Sequence, residues 1–326
     1  MNPAVHPATG SRPVDPVALA ARGESVWHRL GLAALGVDWV SDDQVARRTQ
    51  PTTPVFLAAL SLRAGVPAAV LARAVEGLDT ELAVRDAGGT ENLGPHGFVL
   101  QGREPWMVRP PGPVEAGPFE PDPPPPGLEV TPCRSPAEVE LFERTSVEGF
   151  TGSASSWFPG TIHPPEASLR VPGLTLLLAR LHGRPVGTAI AATDGAVLNV
   201  GGVAVVEAAR RQGIGTHLTL ACLATAPMLP AVLSSSDQGH PLYQTLGFTD
   251  AGPTALWWRP APGRHERHAG QASSSGWRTA AKPSVVRHSC GQLVGGAQCL
   301  AWLGTTGSRS PVTTGWRTTS WGCATG

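Results

Sequence analysis

The sequence predicts an α+β fold, and three observations carry that prediction. An apolar strand-like run, Leu198 to Val206, leads through a glycine-bearing turn into a helical pattern, Gln212 to Ala226. Two apolar runs, Leu174 to Leu181 and Val186 to Ala192, flank His182-Gly183-Arg184 and read as a hairpin. Between a short strand (Leu128-Glu129-Val130) and that hairpin lies a helix with a complete start signal. Ser135 is its N-cap, Pro136 its first position and Glu138 follows three residues after the cap.

The remaining elements follow in order. Val139, Leu141, Phe142 and Val147 give the capped helix an apolar face. A strand at Ala231-Val232-Leu233, a short helix around Tyr243 and a last strand, Ala255-Leu256-Trp257-Trp258, complete the set.

Composition divides the chain into three zones: 1–126, 127–262 and 263–326. At 326 residues the chain has room for about two domains. The first zone closes on a proline-rich linker, Pro121 to Pro126, expected to be extended and exposed. The third zone has no Asp or Glu after Glu266, yet holds Trp277, Trp302, Trp316 and Trp321. Without an amphipathic period it cannot offset its ordering entropy, so a disordered tail is expected; a Trp-anchored binding tail is the rival reading.

Acidic and basic side chains balance at 25 each, so nothing points to nucleic acid or an anionic membrane surface. No apolar run approaches the roughly 20 residues of a membrane span. The segment after Met1 lacks the apolar core of a secretion signal. Five scattered cysteines (Cys133, Cys222, Cys290, Cys299, Cys323) show no metal-ligand or redox spacing. A reduced, cytoplasmic protein without a metal is the expectation. Lys282 is the one lysine, so the basic residues are almost all arginine, which reads as the mark of a GC-rich coding sequence.

The chemistry concentrates in Arg210-Arg211-Gln212-Gly213-Ile214-Gly215-Thr216. A turn at a helix start presents backbone N–H groups to an anion, and the helix dipole favours negative charge there. Gly213 and Gly215 let a phosphate approach without a Cβ clash. The spacing fits neither a P-loop nor a dinucleotide fingerprint.

This segment, with Arg210, Gly213 and Gly215 as R-x-x-G-x-G, resembles the pyrophosphate loop of the GNAT N-acetyltransferase superfamily. A second match follows: Leu242-Tyr243-Gln244-Thr245-Leu246-Gly247-Phe248 is similar to that family's L-Y-x-x-L-G-F segment. The resemblance spans roughly Gly127 to Pro260. It implies a mixed, mainly antiparallel sheet flanked by helices. It implies acetyl-CoA as cosubstrate, with its pyrophosphate on the N–H groups from Gln212 to Thr216 beside Arg210 and Arg211. The backbone of Val203, Ala204 and Val205 would align the pantetheine arm and acetyl carbonyl, as a strand edge can. Arg211 stands where the family usually has glycine, and Glu207, expected to face solvent, where proline is common.

Tyr243, the only tyrosine of the chain, matches the family tyrosine that protonates the departing thiolate; a core tyrosine is the alternative. Asp237 and His240 are the nearest candidates for the general base, with helix cap and helix start as their structural readings, and deprotonation through a water chain is the alternative route. Gly201-Gly202 marks either a strand bulge or a plain kink. Phe150, Trp157, Phe158 and His163, in the loop Gly149 to Pro165, either line an acceptor pocket or cover the core.

The resulting expectation is an acetyl-CoA-dependent N-acetyltransferase acting on a primary amine of a small molecule or peptide. It would work as a monomer or homodimer. The alternative is an acyl-CoA-binding sensor without turnover.

The first zone echoes the second at an offset of 150 residues. Gly97-Phe98 falls on Gly247-Phe248, Gly102 on Gly252, Arg109-Pro110 on Arg259-Pro260, Val55 on Val205 and Gly65 on Gly215. A degenerate copy is expected, with Leu60, Arg63 and Leu93 in place of Arg210, Gly213 and Tyr243, and so without a cofactor site.

Overall fold

The computed structural model describes residues 15–113, 122–155 and 157–261. The 263–326 tail lies outside these residues, as does Pro121 of the linker.

The described chain runs α1 (Pro16–Ala34), β1 (Trp39–Ser41), β2 (Val45–Arg48), β3 (Ala59–Ser61), α2 (Ala68–Ala74), β4 (Leu82–Ala87), β5 (Val99–Arg109), β6 (Leu128–Pro132), α3 (Pro136–Thr151), α4 (Pro165–Ser168), β7 (Leu174–Leu181), β8 (Arg184–Thr193), β9 (Leu198–Val205), α5 (Ile214–Thr225), β10 (Ala231–Ser234), α6 (His240–Thr245) and β11 (Thr249–Arg259). All strands join one sheet in the order β1-β2-β3-β4-β11-β5-β10-β9-β8-β7-β6. Pairing is antiparallel except for β3 with β4 and β9 with β10. The expected mixed, mainly antiparallel sheet flanked by helices is therefore present.

The sheet repeats itself about its middle. Each half contains a strand–helix–strand unit that closes a parallel pair: β3–α2–β4 in the first, β9–α5–β10 in the second. The final strands then cross over. β11 lies between β4 and β5, and β5 lies between β11 and β10. Each half's last strand therefore completes the other half's sheet. The offset of 150 is true of these strands, β5 (Val99–Arg109) and β11 (Thr249–Arg259). Gly97 and Gly247 share a left-handed φ of 82° and 83°.

Upstream the echo slips. Val55 and Gly65 do not correspond to Val205 and Gly215. The strand ends at Ser61 in one half and Val205 in the other, and the helix begins at Ala68 and Ile214. The first half's turn is shorter, Leu62 to Pro67 against Val206 to Gly213. Leu60 is a buried β3 residue, not a turn residue.

Local signals behave as the sequence predicts. The Ser135 hydroxyl accepts from Glu138 N–H, while the Glu138 carboxylate accepts from Arg134 N–H and the Ser135 hydroxyl. β7 and β8 meet at His182 and Gly183, both at positive φ. Glu207 is exposed, and so are Asp122, Pro123 and Pro124 of the linker.

Helix α1 positions the site and was not marked by the sequence reading. Asp15 caps it, accepting from Val17 N–H. Its buried face (Ala20, Ala21, Val26, Leu30, Leu32) joins a core that includes Val147, Val232 and Leu256 of the second half. Each large side chain there contributes roughly 1.5–3 kcal/mol by leaving water. Gly23 allows a close approach: a Cβ there would meet Val232 Cγ2 at 2.1 Å. The next turn, carrying Glu24 and Trp27, is thereby held against the sheet. Among the described residues no helix is long and apolar enough to cross a membrane, and no three His, Cys, Asp or Glu side chains group as metal ligands.

Candidate active site

The parallel pair β9–β10 opens after two residues. Leu198 pairs with Ala231 and Asn199 with Val232, and the ladder stops there. β10 turns its other edge to β5, with Ser234 opposite Trp106. β9 stays on β8 but carries one extra residue between Gly201 and Ala204, a bulge centred on Gly202 at φ 59°. The paired glycines are thus the bulge. It leaves the β10-facing edge of Val200 to Val205 without a strand partner, and a backbone edge of that kind can pair with an extended ligand.

A cavity of about 980 Å³ occupies the opening. One wall is β9, including Val203, Ala204 and Val205. One mouth is the turn before α5, with Arg210, Arg211, Gly213, Ile214 and Gly215. The opposite wall is the segment after β10, with Ser236, Asp237, Gly239 and Tyr243. Of the sequence-marked loop residues, Gln212 and Thr216 do not line the cavity, and Gln212 is exposed.

Gly213 is the N-cap of α5 at φ 75°, with no side-chain cap on the helix start. The first N–H groups of α5 are therefore available at the cavity mouth, where a buried anion is favoured. Arg210 braces the turn rather than hanging free. Its Nε donates to Val205 O at 3.1 Å and its Nη2 to Gly149 O at 2.8 Å. Arg211 holds φ 63°, the left-handed region that favours glycine. A glycine would hold this conformation without a Cβ clash.

Tyr243 packs edge-on to Phe248. Burial, with a contribution from the Cys222 thiol, pushes its phenol well above the ordinary value. Its hydroxyl has no hydrogen-bond partner among the described residues. Asp237 lines the cavity, whereas His240 begins α6 and pairs with Asp250 at 2.7 Å.

The loop after α3 resolves mostly as core cover. Glu143, fully buried, accepts from Trp157 Nε1 and from the backbone N–H groups of Gly160, Ile162 and His163. Trp157 and His163 are thereby drawn inward, Phe158 is exposed, and Phe150 alone of the four reaches the cavity.

The residues that sequence reasoning missed come from the first half. Glu24 and Arg85 line the cavity, with Arg85 Nε 2.8 Å from Glu24 Oε1. Arg85 Nη1 lies 3.4 Å from Glu104 Oε2 and donates to Ser234 Oγ and Thr254 Oγ1. Ser234 in turn donates to Glu104, and Trp106 Nε1 to Glu24. Burial alone would raise the Glu24 carboxyl, but Arg85, His28 and Trp106 outweigh it and hold it below the usual range. Burial pushes His28 below its ordinary value, against the opposing pull of Glu24. A polar pair at Glu24 and His28 on an otherwise apolar face of α1 was the available signal.

Residues 172–250 match the family model described as acetyltransferase (GNAT) domain. The resemblance is to the GNAT acetyltransferases. A GCN5-related N-acetyltransferase from Kribbella flavida superposes with a TM-score of 0.53 at 21% identity, over 76% of this chain and 98% of that one. A putative GNAT-family acetyltransferase from Novosphingobium aromaticivorans DSM 12444 gives a TM-score of 0.45 at 19% identity, over 73% and 97%. A tandem GNAT protein from the clavulanic acid biosynthesis pathway gives 0.43 at 16% identity, over 75% and 96%. No match to a curated protein sequence is found. The matched GNAT segment contains the bulged strand, the α5 turn and Tyr243, that is, most of the cavity wall on the second half's side.

Proposed function

We propose that this protein is an acetyl-CoA-dependent N-acetyltransferase, moving an acetyl group to a primary amine by direct attack on the thioester. The observation that carries the reading is the uncapped α5 start at Gly213, set at the mouth of the cavity between β9 and β10. The phosphates of acetyl-CoA suit the N–H groups from Gly213 onward and the Arg211 charge. The free edge of β9 suits the amides of the pantetheine arm.

The amine nitrogen forms a bond to the carbonyl carbon and the carbon–sulfur bond breaks. Tyr243 faces the same cavity, and its raised phenol stays protonated at neutral pH. It is assigned to donate to the sulfur as negative charge develops there. Its O–H is more reluctant to ionise than a free phenol, so hydrogen bonding to the sulfur is the larger part of its help. Asp237, the carboxylate of this wall, is assigned to receive the amine's proton.

The first half is assigned no cofactor. The start of α2, the counterpart of α5, is filled by the chain itself: Glu91 Oε2 accepts from Ala68 N–H at 2.9 Å. The two loops that would flank a ligand also touch, since a Cβ on Gly88 would lie 2.8 Å from Ala64 Cβ.

Titration calorimetry with acetyl-CoA tests the reading. One site per chain is expected, and it should be lost in folded Gly213→Asp or Gly215→Asp, which place a negative charge at the phosphates. Unchanged affinity rejects the site. Binding without thiol release over a broad amine panel replaces the enzyme with the sensor.

A further inference from the structure

Ser234 ends β10 where the strand has parted from β9, and it lines the cavity while only half-buried. Side chains alternate faces along a strand. Ala231 and Leu233 pack with Leu218 and Cys222 of α5, whereas Val232 packs with Ala20, Ala21 and Val26 of α1. Ser234, two residues beyond Val232, therefore turns its hydroxyl to the α1 face of the opening. A donor seated at the α5 start leaves that face to the acceptor.

The first half fixes how this hydroxyl is used. Its oxygen lies 2.8 Å from Glu104 Oε2 and 3.2 Å from Arg85 Nη1. A carboxylate can only accept and a guanidinium can only donate. The Ser234 hydrogen is therefore committed to Glu104, and one oxygen lone pair to Arg85. The second lone pair has no partner among the described residues. Arg85 and Glu104 are 3% and 4% exposed, too buried to meet a substrate themselves. Arg85 is itself held by Glu24 and Thr254, so the lock does not turn. Ser234 thus offers the cavity an acceptor and no proton.

We propose that Ser234 is a catalytic residue of this site: its hydroxyl oxygen accepts one N–H of the attacking amine and aims the nitrogen lone pair at the thioester carbon. This assignment rests on the acetyl-transfer reading. A neutral primary amine brings two hydrogens on nitrogen, and the amide product keeps one. Ser234 holds the hydrogen that stays, and Asp237 takes the proton that leaves. As the nitrogen attacks it gains positive charge, so the held N–H becomes a stronger donor. The bond tightens in the transition state and acts on kcat more than on KM.

The test uses the full chain with saturating acetyl-CoA, and thiol release above the uncatalysed background is the readout. Hydroxylamine and 1-butylamine are the nucleophiles. Ser234→Ala should lower kcat about ten- to a hundredfold, with KM for the amine and the acetyl-CoA Kd nearly unchanged. Ser234→Thr, which keeps the hydroxyl, should stay within about threefold of the wild type. Glu104→Gln can donate to the Ser234 oxygen and turn the hydroxyl proton toward the cavity. It should lower kcat in the Ser234 chain and add little in a Ser234→Ala background.

Equal kcat in Ser234→Ala, or an equal loss in Ser234→Thr, overturns the role of Ser234 and leaves acetyl transfer standing. A weakened acetyl-CoA Kd in place of a lowered kcat makes Ser234 part of the donor wall and also overturns it. If the wild-type chain does not bind acetyl-CoA, or binds it and releases no thiol to either nucleophile, the acetyl-transfer reading falls and the role of Ser234 falls with it.

Discussion

Glu91 and Ala68 form a contact that has no counterpart in the second half: the Glu91 carboxylate sits on the first N–H of α2 at 2.9 Å. At the matching place α5 begins on Gly213 without a side-chain cap. One helix start is closed by an internal anion and the other is left for an external one.

Glu91→Ala should therefore destabilise the fold by about 1 kcal/mol, the worth of a helix cap with its dipole contribution. It should not create a second acetyl-CoA site, because Ala64 still packs on Gly88. Urea denaturation reads the first effect. Calorimetric stoichiometry reads the second, and a value above one refutes it.

Arg211→Gly is expected to separate stability from binding. A left-handed conformation costs an ordinary residue roughly 1–2 kcal/mol, part of which glycine returns through the freedom of its unfolded chain. A net gain of up to about 1 kcal/mol is expected. Loss of the guanidinium should weaken acetyl-CoA about three- to tenfold, most clearly at low salt.

His163 makes stability fall in acid. It is buried, with Nδ1 unpartnered, and burial depresses it from its ordinary 6.5 to about 4. Below pH 6.5 the unfolded chain binds the proton and the folded one does not. Stability is thus present above pH 6.5, declines toward pH 4 and levels off below it. The gap between the two values corresponds to about 3 kcal/mol. His28 is depressed in the same direction. In His163→Phe the slope between pH 6.5 and 4 should shrink by that share in urea titrations; an unchanged slope removes the assignment.

Tyr243→Phe should lower turnover by about 10²–10⁴-fold, with acetyl-CoA affinity nearly unchanged, since the ring still packs on Phe248. Because its phenol is raised, wild-type turnover should show no alkaline limb from this residue up to about pH 10. Equal turnover with chemistry rate-limiting would end the role.

The second half was largely legible in the sequence. The Ser135–Pro136–Glu138 start, the hairpin at His182-Gly183 and the strand–turn–helix at 198–226 are local signals, and local hydrogen bonds satisfy them. Gly201-Gly202 left a bulge and a kink open, and the strand register decided for the bulge. The site's other end was not legible. Glu24, Trp27 and Arg85 reach the cavity only because α1 packs across both halves, and no spacing within 16–34 announces a partner at Ser234 or Asn199. The offset of 150 survived where strand and preceding turn keep their lengths, at 93–110. It failed at 55–65, where the first half's turn is shorter.

The crossing of β5 and β11 has a consequence for how the chain is made. Residues 249–259 fill the gap between β4 and β5, strands that left the ribosome more than a hundred residues earlier. Until then β4 and β5 expose facing edges with no partner, the arrangement most open to capture by another chain. The centre of the sheet is the last part to close during synthesis. Nascent chains arrested before residue 249 should engage chaperones or aggregate, and release should follow once β11 has emerged.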